Sequence, residues 1–329
     1  MPTELHSIVV PFYNEEAVAE EFFRRTTAAL DELSSFEIVA VDDGSTDGTW
    51  EILRAIGSAD ARVRAVRFAR NFGHQTAITA GIDLARGDTV TVIDADLQDP
   101  PELIPRLVAE WRAGADVVFA VRESRDGDSA FKRSSASAFY RMLRKLAGVD
   151  IPLDAGDFRL MSRRAAEGLR AMRERSRYVR GLVAWMGMKR AVVTYDRDAR
   201  HSGTTKYPLR KMVRFAVDGV VSFSTVPLQM AVWLGAIAAV LGFIVGVFAI
   251  GVRLTGGYVE PGWTSLIVSI LFLGGMQLMM LGVLGEYLGR VYDEVRGRPL
   301  YLVSEVQGFD EPVQAHFRTS PLPIRSGGS

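Results

Sequence analysis

The chain of 329 residues contains no cysteine, which excludes disulfides, thiolate zinc centres and a cysteine nucleophile. Lys+Arg and Asp+Glu both total 39, so there is no net positive charge for nucleic acid to recognise. The strand-end motifs are neither the Gly-x-Gly-x-x-Gly of dinucleotide sites nor a Walker loop ending in Gly-Lys-Ser/Thr, so neither chemistry is supported. The opening residues, Met1-Pro-Thr-Glu-Leu-His6, lack the basic and apolar regions of a signal peptide and lead straight into a strand pattern. Charge is also missing from two long stretches, Gly219–Val252 and Pro261–Gly285. Each exceeds the ~20 apolar residues that span a bilayer. A pair of buried helices in a soluble protein is the alternative, but two such runs in succession favour a helical hairpin in a membrane.

Arg210, Lys211 and Arg214 precede the first run, and Arg290, Arg296 and Arg298 follow the second. The short linker between them carries one basic residue, Arg253. This bias places both ends of the hairpin in the cytoplasm. The expected layout is a cytoplasmic catalytic domain over 1–208, an amphipathic interfacial helix over 209–223, and two transmembrane helices within 224–290, at about 226–252 and 264–288. A cytoplasmic tail, 291–329, follows; its Pro-, Ser-, Gly- and Arg-rich end reads as disordered. The protein is thus expected in the inner or plasma membrane as a multi-pass protein.

Within the first 208 residues, short β-branched runs alternate with helical patterns. Strands are expected at Ser7–Pro11, Phe36–Val41, Val63–Val66, Thr89–Ile93, Asp116–Val121 and Ala191–Tyr195, and Arg70-Asn-Phe-Gly-His-Gln75 opens a helix running to Leu84. That alternation predicts a doubly wound, Rossmann-like, mostly parallel sheet in an α/β domain. Polar clusters close four of the strands, and such clusters share one edge of a parallel sheet, where open α/β sheets bind ligands.

The most telling cluster is Asp94-Ala-Asp96-Leu-Gln98-Asp99-Pro-Pro101. Hard oxygen ligands converging on a turn suit Mg²⁺ or Mn²⁺ bridging a diphosphate, although Asp-x-Asp alone is more often a polar turn. Tyr13 offers a ring for a base, and Glu15 and Asp43 can accept hydrogen bonds from base or ribose. An Asx-type turn with a helix cap is the local alternative for Asp42-Asp43-Gly44-Ser45.

Pro11-x-Tyr-Asn-Glu15, Val41-Asp-Asp-Gly-Ser-Thr-Asp47, Arg70-Asn-Phe-Gly-His74 and Asp94–Pro101 stand in order. Together with the two apolar runs they resemble the family 2 inverting glycosyltransferases of GT-A fold. The likeness is to their polyprenyl-phosphate branch, which includes bactoprenol glucosyltransferases and dolichyl-phosphate mannose synthase. The resemblance spans the chain to about Gly308. It implies that Pro11, Tyr13, Glu15, Asp43 and Asp94 hold the nucleotide, and that Asp94, Asp96 and Gln98 hold the metal and diphosphate. A divalent ion would neutralise the departing nucleoside diphosphate.

Beyond Arg122 lies a basic stretch, Ser129–Ala147, and a second, Leu209–Val221, adjoins the first apolar run. Lys/Arg mixed with large apolar residues suits a membrane interface, an ordinary solvated helix being the alternative. An anionic lipid acceptor wants fixed cations, for which Arg122 and Arg133 are candidates, and the resemblance points to the same positions. Arg200-His-Ser-Gly-Thr-Thr205-Lys206 matches the family's Arg-x-x-Gly-x-Ser-Lys loop with Thr205 in place of Ser, so Arg200 and Lys206 are expected on phosphates; a basic linker is the alternative. Asp157, in what reads as an acidic turn before a strand, matches an aspartate discussed as catalytic base. A phosphate monoester, with a second pKa near ~6, is already a nucleophile, so an orienting role is favoured and the base role stays open.

The expected activity is inverting sugar transfer from a nucleotide sugar, UDP-glucose first, to undecaprenyl or another polyprenyl phosphate. The product would be a β-linked polyprenyl-phosphate sugar for cell-envelope glycans. GDP-mannose and aminoarabinose-type UDP-sugars are the alternative donors, and a homo-oligomer such as a tetramer is compatible. A processive polysaccharide synthase would carry Gln-x-x-Arg-Trp, which Tyr178-Val-Arg-Gly-Leu-Val-Ala-Trp185 does not match. A catalytically silent membrane scaffold is the non-enzyme alternative; the presence of Asp94, Asp96, Gln98 and Arg133 argues against it.

Overall fold

A computed structural model describes residues 4–33, 35–122, 155–175, 177–195, 226–255 and 262–309. Arg133, Arg200 and Lys206, both basic stretches expected at the membrane interface, and the tail beyond 309 lie outside the described residues. The chain divides into two units, one comprising 1–144, 148–206 and 298–329, the other 145–147 and 207–297.

The first unit is an α/β fold of GT-A-like type with a mostly parallel sheet. Its elements run β1 (His6–Phe12), α1 (Ala19–Leu30), β2 (Phe36–Asp42), α2 (Thr49–Ala59), β3 (Val63–Phe68), α3 (His74–Leu84) and β4 (Thr89–Val92). A 3₁₀ turn at Pro101–Leu103 then leads into α4 (Ile104–Arg112), β5 (Val117–Arg122), β6 (Ala155–Ser162), α5 (Arg163–Ala171), α6 (Val179–Trp185) and β7 (Arg190–Tyr195). The last strand, β8 (Val303–Gln307), comes from far along the chain. Among the described residues the strand order is β7-β5-β6-β4-β1-β2-β3-β8. β1 is parallel to β2 and β4, β2 to β3, and β5 to β7; β6 and β8 run antiparallel to their neighbours.

β1, β2 and β4 are buried along their whole length, which is why their sequences read as continuous β-branched runs rather than alternating ones. On one face, Ile8, Val10 and Phe12 join a core with Phe22, Leu30, Trp50, Leu53 and Ile104. Phe12 stacks on Phe23 and meets Phe22 edge-on, both at 5.9 Å between ring centroids. On the other face α3 lies against Val9, and Gly81 permits it: an added Cβ there would collide with the Val9 side chain.

The order β3-β2-β1-β4 means the chain winds outward from β1 and then crosses to its other side. The crevice of such a sheet opens at that reversal, outside the carboxyl ends of the strands. One detail of register opens it wider. β4 pairs with β1 only as far as Val9, opposite Val92, whereas β1 continues beside β2 to Phe12. Pro11 therefore sits in a central strand where the neighbour on one side has already left, a place where its missing N–H is tolerated.

The structure corrects two expectations. Asp157 lies within β6 rather than on a turn before it, because β6 starts at Ala155 and pairs with β5 from there. The segment after the second apolar run is not simply tail, since β8 pairs with β3 and extends the sheet.

In the second unit, α7 (Val226–Leu254) and α8 (Trp263–Val295) are the helices described. Leu228–Phe248 has a mean hydropathy of 2.5 over 21 residues with none of it buried, and it is the one segment among the described residues long and apolar enough to cross a membrane. At ~1.5 Å per residue its length matches a hydrocarbon core of ~30 Å. α8 extends past the apolar run into Glu286, Arg290, Asp293 and Glu294, with Glu286 and Arg290 paired at 3.2 Å.

Gly44 follows β2 with φ +71°, and a Cβ there would stand 2.5 Å from the Arg70 carbonyl carbon and 2.7 Å from Asn71 N. Both neighbours are backbone and cannot swing away. Gly44→Ala is expected to destabilise the first unit by at least ~1–3 kcal/mol, read as a lowered denaturation midpoint. An unchanged midpoint would mean that this turn can open without cost.

Candidate active site

The ends of β1 through β4 meet at the crevice, and each brings a different function. After β1, Asn14 takes φ 56° and knits two loops together. Its N–H donates to Ser45 Oγ at 3.0 Å, and its Oδ1 accepts from Thr46 N at 2.9 Å. The Glu15 N–H donates to Thr49 Oγ1 at 2.9 Å, which fixes the backbone on either side of Glu15's carboxylate. Burial raises the Glu15 pKa, and the charges of Asp96 and Asp47 add to it, so the acids after β1 and β4 feel one another across the crevice. Tyr13 is half-exposed and presents its ring outward.

After β2 the two aspartates divide the work. Asp42 is fully buried and accepts from the Ser45 N–H at 3.0 Å and from its hydroxyl, which shapes the turn as the Asx reading expected. Asp43 reaches instead to the loop after β3, accepting from Phe72 N at 2.6 Å and Gly73 N at 2.9 Å. Burial raises its pKa against those two backbone donors. Each of its oxygens retains a lone pair, so a ribose or base could still be accepted there. The immediate role of Asp43 is to hold the loop that opens α3, and Gly73, at φ 102°, places His74 at the first turn of that helix.

His74 links the two halves of the site. Its Nε2 lies 3.2 Å from Asp157 Oδ2 and 3.5 Å from Asp94 Oδ1. Asp157 is nearly buried and surrounded by donors. Arg159 Nη2 donates to Oδ1 at 2.6 Å, Arg180 Nε to Oδ1 at 3.0 Å, and Arg180 Nη2 to Oδ2 at 2.9 Å. Gln75 Nε2 stands 3.5 Å away, and Gln75 Oε1 accepts from Val179 N at 3.1 Å, which ties α6 to α3. Burial alone would raise the Asp157 carboxyl. The hydrogen bonds from His74 and Arg180 and the charge of Arg159 more than reverse that and hold it well below the usual carboxylate range. A carboxylate so stabilised is a poor base. His74 responds in kind: burial opposes its charge, but Asp157 and Asp94 outweigh burial and raise its pKa.

Asp94 is in the opposite position. Burial raises its carboxyl to about 6, with Asp157, Asp99 and Asp96 adding like charge and His74 only partly offsetting them. Its Oδ1 is buried without a hydrogen-bond donor. Asp96 Oδ1 accepts from Gln98 N at 3.1 Å, which curls the turn, and Leu97 takes φ 56° within it. Gln98 is buried, and Asp99 is tied away by the Tyr195 hydroxyl, which donates to its Oδ1. A hard divalent cation answers the deficit at Asp94, so Asp94, Asp96 and Gln98 fit one chemically. Among the described residues no three His, Asp or Glu side chains form a ready-made metal site. Mg²⁺-type ions bind through one or two carboxylates, with substrate phosphates and water completing the shell.

Arg122 ends β5 and stands in register with Tyr195 of β7. Sequence reasoning missed Arg180 and Arg159. Arg180 lies in the stretch scanned for Gln-x-x-Arg-Trp, and nothing local marks one arginine at a helix start as an Asp157 partner. Arg159 carried a signal, because alternation along β6 puts it on the same face as Asp157.

The family model for glycosyl transferase family 2 matches residues 7–170. The chain is 46% identical over 306 residues to YkcC of Bacillus subtilis (strain 168), named an uncharacterized glycosyltransferase, covering 93% of this chain and 95% of that protein. It is 43% identical over 303 residues to the prophage bactoprenol glucosyl transferase homolog of Escherichia coli (strain K12), covering 92% and 99%. It is 42% identical over 301 residues to the bactoprenol glucosyl transferase of Shigella phage SfII, covering 91% and 97%.

Replacing Asp157 with Asn would leave Arg159 fully buried without its counter-charge, a change that costs ~3–5 kcal/mol in comparable buried pairs. The pH dependence has a definite sign. The folded pKa lies below the unfolded value of ~3.9, so the stabilisation by Asp157 is fully present above about pH 4 and is lost as pH falls toward the folded pKa. Denaturation followed through this acid range should show a steeper loss in the wild type than in Asp157→Asn. Parallel curves would contradict the ion cluster.

Proposed function

The chain belongs to glycosyl transferase family 2, and from that premise we propose that it transfers a sugar from a nucleotide sugar to a polyprenyl phosphate, with inversion at the anomeric carbon. The favoured donor is UDP-glucose, in keeping with the bactoprenol glucosyl transferases that match over more than nine-tenths of their length. The observation that carries the reading is the meeting of two unlike charge sites through His74. One is an acidic turn with an unsatisfied carboxylate, suited to a cation and diphosphate; the other is a carboxylate clamped by two arginines. Exposed apolar α7 supports a membrane setting, and we extend this to a two-span hairpin formed by α7 and the apolar part of α8.

In this reading Tyr13 stacks on the base, and Pro11, Glu15 and Asp43 shape the nucleoside end of the site. Asp94, Asp96 and Gln98 would hold a Mg²⁺ or Mn²⁺ ion together with the diphosphate. When bound, such an ion supplies charge neutralisation to the departing nucleoside diphosphate. A phosphate oxygen of the lipid forms the new bond to the anomeric carbon as the bond from that carbon to the diphosphate oxygen breaks. The nucleophile is largely dianionic at neutral pH, so no strong base is needed, and Asp157 is held too acidic to be one. Its task is to orient Arg180 and His74 at the border of the two subsites. Arg122 and Arg133 are proposed to receive the acceptor phosphate, with Arg200 and Lys206 closing on the phosphates.

Full-length protein in detergent, given undecaprenyl phosphate, Mn²⁺ and a panel of labelled nucleotide sugars, should convert UDP-glucose to a lipid-linked product of β configuration. Asp96→Ala should reduce that transfer at least ~100-fold, the scale on which removing an electrostatic stabiliser acts. Undiminished transfer by Asp96→Ala would overturn the diphosphate assignment. Labelling from GDP-mannose alone would correct the donor.

A further inference from the structure

The stretch that follows α8 belongs to the catalytic unit, and its anchoring there is specific. Tyr301 is buried and stacks on Phe68 with ring centroids 4.8 Å apart. Leu302 O accepts from Ala69 N at 2.9 Å, and β8 then pairs with β3. An antiparallel strand that merely protected the sheet edge could carry any polar residue facing outward. This one carries Ser304 and Glu305, both engaged with β3 and its neighbours.

Glu305 is held through both oxygens: Trp50 Nε1 donates to Oε2 at 3.0 Å, and Arg67 Nη1 donates to Oε1 at 3.1 Å. Ser304 Oγ donates to Arg67 O at 3.2 Å. Arg67 in turn donates from Nη2 to Ser45 O at 3.2 Å and sets its Nε 3.4 Å from Asp42 Oδ2. Ser45 Oγ accepts from the Asn14 N–H, next to Tyr13. An unbroken series of contacts thus runs from β8 through Arg67 to the turn after β2 and on to the loop after β1.

These residues also surround open space. A cleft of about 470 Å³ is lined by Tyr13, Ser45, Thr46, Arg70, Ser304 and Glu305 among others. That volume lies within the ~300–1,000 Å³ of small-ligand sites. Its place in the sheet says which part of a donor it fits. The acidic turn lies on the β4 side of β1, whereas this cleft lies on the β2–β3 side, with Tyr13 at their junction. A nucleotide whose diphosphate rests at Asp94 and Asp96 would extend its nucleoside past Tyr13 toward β8.

We propose that β8 completes the donor pocket: Ser304 and Glu305 form part of the wall that receives the nucleoside, and Glu305 acts as a positioning residue that fixes the Asp42–Ser45 turn through Arg67. The proposal rests on the nucleotide-sugar reading above. Segments far apart in the chain, on either side of α7 and α8, then build one binding site.

The test is titration of full-length protein with UDP, GDP and CDP in the presence of Mn²⁺, followed by calorimetry, for the wild type, Glu305→Ala and Glu305→Gln. Glu305→Ala should weaken the Kd for the nucleotide that the wild type binds by about tenfold, the size of one lost charge-assisted hydrogen bond. It should raise the donor KM by a similar factor and leave kcat and the acceptor KM unchanged. Glu305→Gln, whose one carbonyl oxygen can serve Arg67 or Trp50 but not both, should recover part of the affinity. A purely structural role would lower the binding-competent fraction without moving the Kd. Wild-type Kd in Glu305→Ala overturns the proposal. If that variant does not fold, Ser304→Trp, at an exposed position on the rim, must weaken nucleotide binding in a folded protein, and an unchanged Kd there overturns it equally. Failure of the wild type to bind any of the three nucleotides would defeat the nucleotide-sugar reading itself, and this proposal with it.

Discussion

Asp157 carries a negative charge into a part of the protein that water scarcely reaches, and the catalytic unit is arranged to keep it there. Arg159 from its own strand, Arg180 from α6 and His74 from α3 converge on one carboxylate. Removing the carboxylate would strand the fully buried Arg159, and a charge so stranded costs several kcal/mol. This interaction therefore sets the relative position of β6, α6 and the first turn of α3. It also sets the character of the site. A carboxylate surrounded by donors is an organiser, and the reaction that suits it is one whose nucleophile arrives already deprotonated.

The same cluster governs the acidic turn beside it. Asp94 has the reverse environment, half-buried among like charges, its Oδ1 facing His74 at 3.5 Å but receiving no hydrogen bond. Two aspartates on either side of one imidazole are thereby driven to opposite chemical behaviour, one held ionised at neutral pH and the other suited to a cation. The early end of β4 gives both room. Because β4 stops opposite Val9, the crevice beside Pro11 stays open while β1 and β2 carry Tyr13 and Asp43 farther out.

Much of this was legible in the sequence, for a physical reason. Strands buried on both faces must be apolar throughout, so Ile8–Val10, Ile38–Val41 and Val90–Ile93 stand out against any background. Where such a strand ends in acids, the polar run marks the ligand-facing edge. The end of α3 at Leu84 and the place of His74 in its first turn were legible from the polar opening Arg70–Gln75 and the apolar stretch after it. What stayed hidden depends on distant partners. Arg180 meets Asp157 only after α6 folds against α3, and Asp157 belongs to β6 because β5 pairs with it from Ala155. Val303–Gln307 is short and half-polar, and its value as a strand comes from the vacant edge of β3. Glu305 is 238 positions from the Arg67 it holds, so no local pattern announces the pair.

In the proposed reaction the turn after β4 is a cation and diphosphate site set beside a clamped carboxylate. The most direct measurement is a crystal or cryo-EM structure of the full-length protein with Mn²⁺ and a nucleoside diphosphate, with anomalous scattering locating the metal in the crystal. The account predicts a manganese peak against Asp94 and Asp96, bridging to the diphosphate, with Asp157 still bonded to Arg159 and Arg180. A nucleotide bound with the metal elsewhere, or with Asp157 released from both arginines, would contradict it.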